Sequence, residues 1–281
     1  MVSGLRCCIP LLALAAVSCG VPLMKLPQGP GAPAPDATDA LQQATAECRA
    51  VRTLTAEVAA SGRAAGSKFR GRLSTGVAAP ASARIEAVAP FGPPVFIFVA
   101  TGDDATLLLP RDERILEHGR PADVLGAVAG VPLNAGDLFR TLTGCAPAPA
   151  EGTGPIGPPA EVSARGDNWR VISDPARVAE VYLHREAPAQ PWRLAAVIRR
   201  PPGAAPWRAE YRDHQGGVPR SIRLASIDAP DRSGFDLTLR LSQVEINTAL
   251  GADVFRVEIP RSASPITLDE LRNARPGVRE D

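Results

Sequence analysis

From residue 54 onward the chain alternates apolar and polar positions with a period of two. Residues 68–74 (KFRGRLS) and 83–87 (ARIEA) do so strictly, which predicts strands with one wet face, because successive strand side chains point to opposite faces. Residues 95–99 (VFIFV) are apolar without interruption and predict a strand covered on both faces. Gly102-Asp103-Asp104 then turns it back into residues 105–109 as a hairpin. Alternation returns at residues 169–172, 178–185, 193–199, 207–212, 222–227, 237–241 and 255–259. Turn clusters at Pro201-Pro202-Gly203, Gln215-Gly216-Gly217 and residues 228–234 separate several of these runs.

Three stretches follow helical spacing instead. Leu41, Ala44, Cys48 and Val51 share one face behind a cap at Thr38 or Asp39. Residues 121–130 start with Pro121 at a first helical position and bury Val124, Leu125 and Val128. Asn134 with Asp137 resembles a capping box ahead of Leu138, Phe139 and Leu142. Roughly ten to twelve antiparallel strands with helices in the middle predict a mainly β chain built on one strongly curved sheet, a half-barrel or an open barrel. Residues 146–159, dense in Pro and Gly, read as a surface loop rather than a domain boundary, because the same strand pattern resumes beyond them.

The N-terminus has a different character. Arg6 precedes an apolar stretch at residues 7–17 (CCIPLLALAAV), the length of a signal-peptide core and too short for a membrane span, which needs about 20 apolar residues. Ala16-Val17-Ser18-Cys19 resembles the lipobox of bacterial lipoproteins, with Ala16 where that pattern prefers Leu. The resemblance implies that residues 1–18 are removed and Cys19 is acylated, giving a membrane anchor, and Gly20 after the Cys implies the outer membrane, with the domain facing the periplasm. The alternative is an ordinary secreted protein cut nearby. Residues 19–36, uncharged but for Lys25 and Asp36 and rich in Pro and Gly, are expected to form a semi-extended tether. The folded domain is expected over 37–272, with a polar tail at 273–281.

Composition narrows the chemistry. The 281 residues carry 31 Lys and Arg against 30 Asp and Glu, a net charge of +1, so no global field draws in nucleic acid, and 4% aromatic residues leave little for base stacking. His118, His184 and His214 are far apart in sequence and from any Cys, there is no Gly-x-Ser-x-Gly, and Gly152-Thr153-Gly154 lacks the Lys of a phosphate loop. No enzyme, cofactor or metal is expected. With Cys7 and Cys8 lost and Cys19 acylated, Cys48 and Cys145 remain, either as one disulfide or as two buried thiols.

Residues 84–145 resemble the LolB outer-membrane lipoprotein receptors and their relatives, the periplasmic LolA carriers. The resemblance rests on a strand, then Ala89-Pro90-Phe91-Gly92, a hairpin through Asp103, Ala122-Asp123-Val124-Leu125, Gly130-Val131-Pro132-Leu133 and Leu142-Thr143-Gly144. Ile246-Asn247 and residues 255–260 look like closing strands of the same family. It implies an unclosed antiparallel half-barrel capped by helices, with an apolar cavity for acyl chains and no catalytic group. Phe69, Ile85, Val95, Ile97, Val99, Leu125 and Phe139 are the cavity candidates. Phe91 stands where the family projects an apolar side chain for delivery to the membrane, although Ala89 and Phe91 replace Asn and Leu there. A LolA-like carrier is the implied protein partner, and a scaffold that retains the fold without lipid is the competing reading.

Overall fold

A computed structural model describes residues 22–64, 66–145, 161–174, 178–201, 203, 205–227 and 234–274. In chain order the elements are β1 (Ala32–Pro33), α1 (Ala37–Arg49), β2 (Thr53–Ala64), β3 (Ser67–Ala78), β4 (Ser82–Val88), β5 (Ile97–Thr101), β6 (Asp104–Leu109) and β7 (Arg114–Gly119). Two helices, α2 (Pro121–Ala129) and α3 (Ala135–Thr143), follow. The second run comprises β8 (Glu161–Arg165), β9 (Trp169–Ser173), β10 (Ala179–His184), β11 (Arg193–Arg199), β12 (Trp207–Gln215), β13 (Val218–Ser226) and β14 (Phe235–Ile246). A 3-10 turn (Ala252–Phe255), β15 (Ser264–Pro265) and α4 (Leu268–Ala274) complete it.

All the strands join one sheet in the order β1-β8-β9-β10-β11-β12-β13-β14-β2-β3-β4-β5-β6-β7-β15, which leaves β1 and β15 as free edges. The fold is the expected mainly β, unclosed half-barrel with short helices on its concave face. The long pair β14 and β2 welds the two runs together, in register from Phe235 opposite Ala64 to Leu241 opposite Val58. Inward positions such as Leu54, Val77, Phe98, Leu107, Leu183 and Ile222 are almost fully buried. The helices complete the core: α1 lies over β8 to β11, α3 crosses β13, β3 and β4, and α2 packs on β6 and α4. Gly130 and Gly144 end α2 and α3 at φ 70° and 68°, a conformation that costs a residue without a Cβ least.

Several expectations are corrected. Of the expected 19–36 tether, the described residues from Pro22 on are not free of the domain. Residues 22–35 run as a strap across the outer face, where β1 pairs with β8 and Leu26, 8% exposed, packs with Val171, Tyr182, Ala196 and Ile198. Burying that leucine stabilises the strap by about 1.5–3 kcal/mol. Met24 is held on both sides of its peptide: its N–H donates to Glu210 Oε1 at 2.8 Å, and Arg208 donates to its carbonyl. Two leucines and one methionine among prolines form no period, so the pattern gave no sign of this docking.

Helix α1 begins one residue before Thr38, and neither Thr38 nor Asp39 caps it. Asp36 precedes it and gives its carboxylate to Arg170 at 2.7 and 2.8 Å. Residues 255–259 are not a strand: the chain leaves the 3-10 turn in an irregular path, fixed where Arg84 donates to the carbonyls of Val254 and Arg256. The chain enters the expected 273–281 tail still helical, since α4 runs to Ala274. The 146–159 loop lies outside the described residues.

Candidate functional site

Between the sheet and its helices lies an apolar chamber of about 80 Å³. Val58, Phe69, Leu73, Ile85 and Leu237 line its sheet side, and Leu125, Leu133, Leu138 and Leu142 line its helix side. These residues meet because both contributions are amphipathic: even-spaced strand positions face inward, while α3 presents Leu138 and Leu142 at helical spacing. Asn134 Oδ1 caps α3 by accepting from the Asp137 N–H at 2.7 Å, half of the expected reciprocal box.

A vestibule of about 250 Å³ adjoins the chamber. Phe69, Leu73, Phe96 and Ala129 line both spaces, so only a wall of side chains divides them. The vestibule lies between the start of β3, the end of α2 and the loop joining β4 to β5. Its rim carries Lys68, Arg70, Arg72 and Arg111. Phe91 stands on that loop 90% exposed. Gly92 beside it takes φ 76°, and Arg111 clamps the loop by donating to the carbonyls of Phe91 at 2.9 Å and Pro93 at 3.2 Å. The backbone is therefore braced while the ring stays in solvent.

Of the expected cavity residues, Phe69, Ile85 and Leu125 line the chamber and Val95 lines only the vestibule. Phe139 is buried in the core without lining either space. Ile97 and Val99 point to the outer face, because β5 turns Phe98 and Ala100 inward, in line with Phe96 just before it. Val99 is nonetheless buried. It sits opposite Arg84, whose guanidinium holds the chain leaving the 3-10 turn over that face, so β5 is covered on both sides. The uninterrupted apolar run hid which set faces inward, and choosing the wrong parity exchanges the two faces. Leu73, Phe96, Leu133, Leu237 and the Arg111 clamp were missed. The pairing of Ile85 with Phe98 was the signal that would have set the parity. Cys19 lies outside the described residues. Cys48 and Cys145 form a disulfide with Cα atoms 5.5 Å apart, tying the end of α1 to the end of α3.

A second, polar groove of about 530 Å³ lies on the far side and includes His184, Glu186, Arg193, Asp213 and His214, with no Ser, Thr or Cys among the described residues of its lining. Burial, assisted by the Arg193 charge, pushes His214 down to about 4, so at neutral pH it is an uncharged packing residue. His184 rests on the Trp169 ring at 4.4 Å, and burial lowers its pKa as well. Among the described residues no group of three or more His, Cys, Asp or Glu could hold a metal ion, and no helix is long and apolar enough to cross a membrane.

This architecture is similar to that of solved LolA-like proteins. A solved LolA superfamily protein of Nitrosomonas europaea superposes with a TM-score of 0.52 at 13% identity, covering 79% of this chain and 97% of its own. A putative outer membrane lipoprotein-sorting domain of Vibrio parahaemolyticus gives 0.46 at 12% identity over 77% and 94% of the two chains. The Mycobacterium tuberculosis lipoprotein LppX gives 0.32 at 12% identity over 79% and 100%. No protein-family model and no curated protein matches the sequence. The chain thus has the LolA-like fold.

Proposed function

We propose that this chain is an envelope lipoprotein, anchored in the outer membrane through an acylated Cys19, that binds acyl chains between sheet and helices and acts in lipoprotein or lipid transfer at that membrane. The observation that carries this reading is the apolar chamber opening, through a single layer of side chains, onto a vestibule beside an exposed Phe91. An acyl chain gains about 0.8 kcal/mol per methylene moved from water into such a lining, and no reacting group is needed. Neither space alone reaches the roughly 300 Å³ at which ligand pockets begin, so a chain enters by displacing the wall formed by Phe69 and Leu73. Phe91 serves delivery into the bilayer, and a LolA-like carrier is the partner that would hand cargo to the mouth.

The small inner chamber favours the competing reading, an envelope scaffold that keeps the fold without lipid. Uptake of an environment-sensitive fluorescent fatty acid, displaced by an acylated peptide, separates the two. Lipid binding requires uptake that Ala129→Phe, which thickens the shared wall, reduces several-fold without unfolding the protein. A folded chain with no uptake establishes the scaffold.

A further inference from the structure

We propose that the outer face of β14, β2 and β3, at the end bearing the mouth, is a docking surface for a phospholipid bilayer with anionic headgroups. The inference rests on the reading of the mouth as the membrane-facing end and adds the chemistry of the lipid surface it meets. Lys68, Arg70 and Arg72 alternate along β3 and are all exposed. Arg63 lies opposite Lys68 on β2, and Arg240 on β14 is separated from Arg72 by Ala59. Five cations thus share an area three strands wide, where neighbouring strands are about 5 Å apart and like charges destabilise a sheet.

No described residue on that face neutralises them. Arg70 faces Ser61, with Thr238 next in the same row, and Asp236, the residue opposite Arg63, is held by Arg223 at 2.6 and 2.8 Å. Among the described residues Lys68, Arg70, Arg72 and Arg240 make no ion pair. The other end of the same face has the opposite sign: Glu57, Glu86 and Glu245 gather there, with Arg84 bound to Glu86 at 2.6 Å. The face is therefore polarised along its strands, with the positive end at the mouth.

Apolar side chains complete that end. Val88, 45% exposed, sits opposite Arg72, and Phe91 projects just beyond it. Cations beside exposed apolar groups suit the headgroup layer, where the charges meet phosphates and the ring enters the acyl boundary. The strap leads the same way. Glu210, which holds Met24, stands in a register row that continues through Arg223, Thr238 and Ser61 to Arg70, four strands or about 20 Å away. Cys19 precedes Pro22 by three residues, a reach of at most about 11 Å. A domain strapped this closely to an anchor lies on the bilayer rather than standing off it.

The test is co-sedimentation of the chain from residue 20 onward, which keeps every described residue, with vesicles of phosphatidylcholine alone or mixed with phosphatidylglycerol. Fatty-acid uptake is read on the same samples. Binding is expected to require phosphatidylglycerol and to weaken with salt. A cation near such a surface is worth about five-fold in partitioning, so Arg70→Glu with Arg72→Glu lowers it by at least about 25-fold at an unchanged melting temperature. Arg49→Glu with Arg261→Glu, the same change in net charge placed elsewhere, leaves it within about two-fold because remote charges are screened. Equal binding to both vesicle types, or full binding by the Arg70/Arg72 variant, overturns the inference while leaving the membrane reading of Phe91 standing. Binding to neither type overturns both and leaves the cations to an acidic protein partner, and uptake alone decides the cavity reading.

Discussion

Opening the Cys48–Cys145 disulfide gives the sharpest test of how the helices are held over the chamber. The bond closes a ring spanning a sequence separation of 97 residues. The loop entropy that it removes from the unfolded chain corresponds to about 4.7 kcal/mol for a ring of that size. It also acts on the site, because it joins α1, which lies over β8 to β11, to α3, which supplies Leu138 and Leu142 to the chamber. Cys48→Ser with Cys145→Ser is therefore expected to lower the melting temperature by on the order of 10–15 °C in a chain of this size. It should also speed fatty-acid uptake, because the end of α3 can then lift. Thermal melts of the oxidised, reduced and double-Ser proteins, with the bond verified by mass, measure the first effect, and stopped-flow fluorescence measures the second. A drop of less than about 3 °C would refute the reasoning, since α1 and α3 would then be held by apolar packing alone. A large drop with unchanged uptake kinetics would show that lipid enters without movement of α3.

Phe91→Glu removes no buried surface and is expected to shift stability by no more than about 0.5 kcal/mol, while vesicle binding and transfer fall. A sharp loss in the melt would instead place the ring in the core. Glu210→Ala takes the acceptor from the Met24 N–H and the counter-ion from Arg208, at 2.6 Å, and from Arg212. It should cost about 2 kcal/mol, discounted for the partial exposure of Arg212, and expose Lys25 to trypsin much faster than in the wild type. His214 binds its proton less readily in the folded state than at its ordinary value of 6.5, so stability is full above that pH. It falls by up to about 3 kcal/mol as pH drops towards 4. His214→Asn should flatten that acid limb in urea titrations at successive pH values. Cys19→Ala should move the protein from the membrane to the soluble fraction, and retention in the membrane would remove the lipobox reading.

The period-two pattern, the two internal helices and their caps were legible because they depend on neighbours within a turn or a strand. Pro121 at the start of α2 and Asn134 ahead of α3 act on backbone only a few residues away. The mainly β class and the helix-capped half-barrel followed from those local signals together with the resemblance. The inward set of β5 did not, because in a run apolar at every position only the pairing with β4 decides that Phe96 and Phe98, rather than Ile97 and Val99, face the helices. The strap escaped for a related reason. Met24 and Leu26 are held by Glu210, Arg208, Tyr182 and Ile198, residues more than 150 positions away whose own pattern reads as an ordinary wet face. The basic end of the outer face also emerges only when β14, β2 and β3 are laid side by side, since Arg63, Arg72 and Arg240 carry no signal singly. Local spacing determines which way each side chain points relative to its own strand or helix, whereas the partner it meets there is chosen by strand order and register, which depend on the whole chain at once.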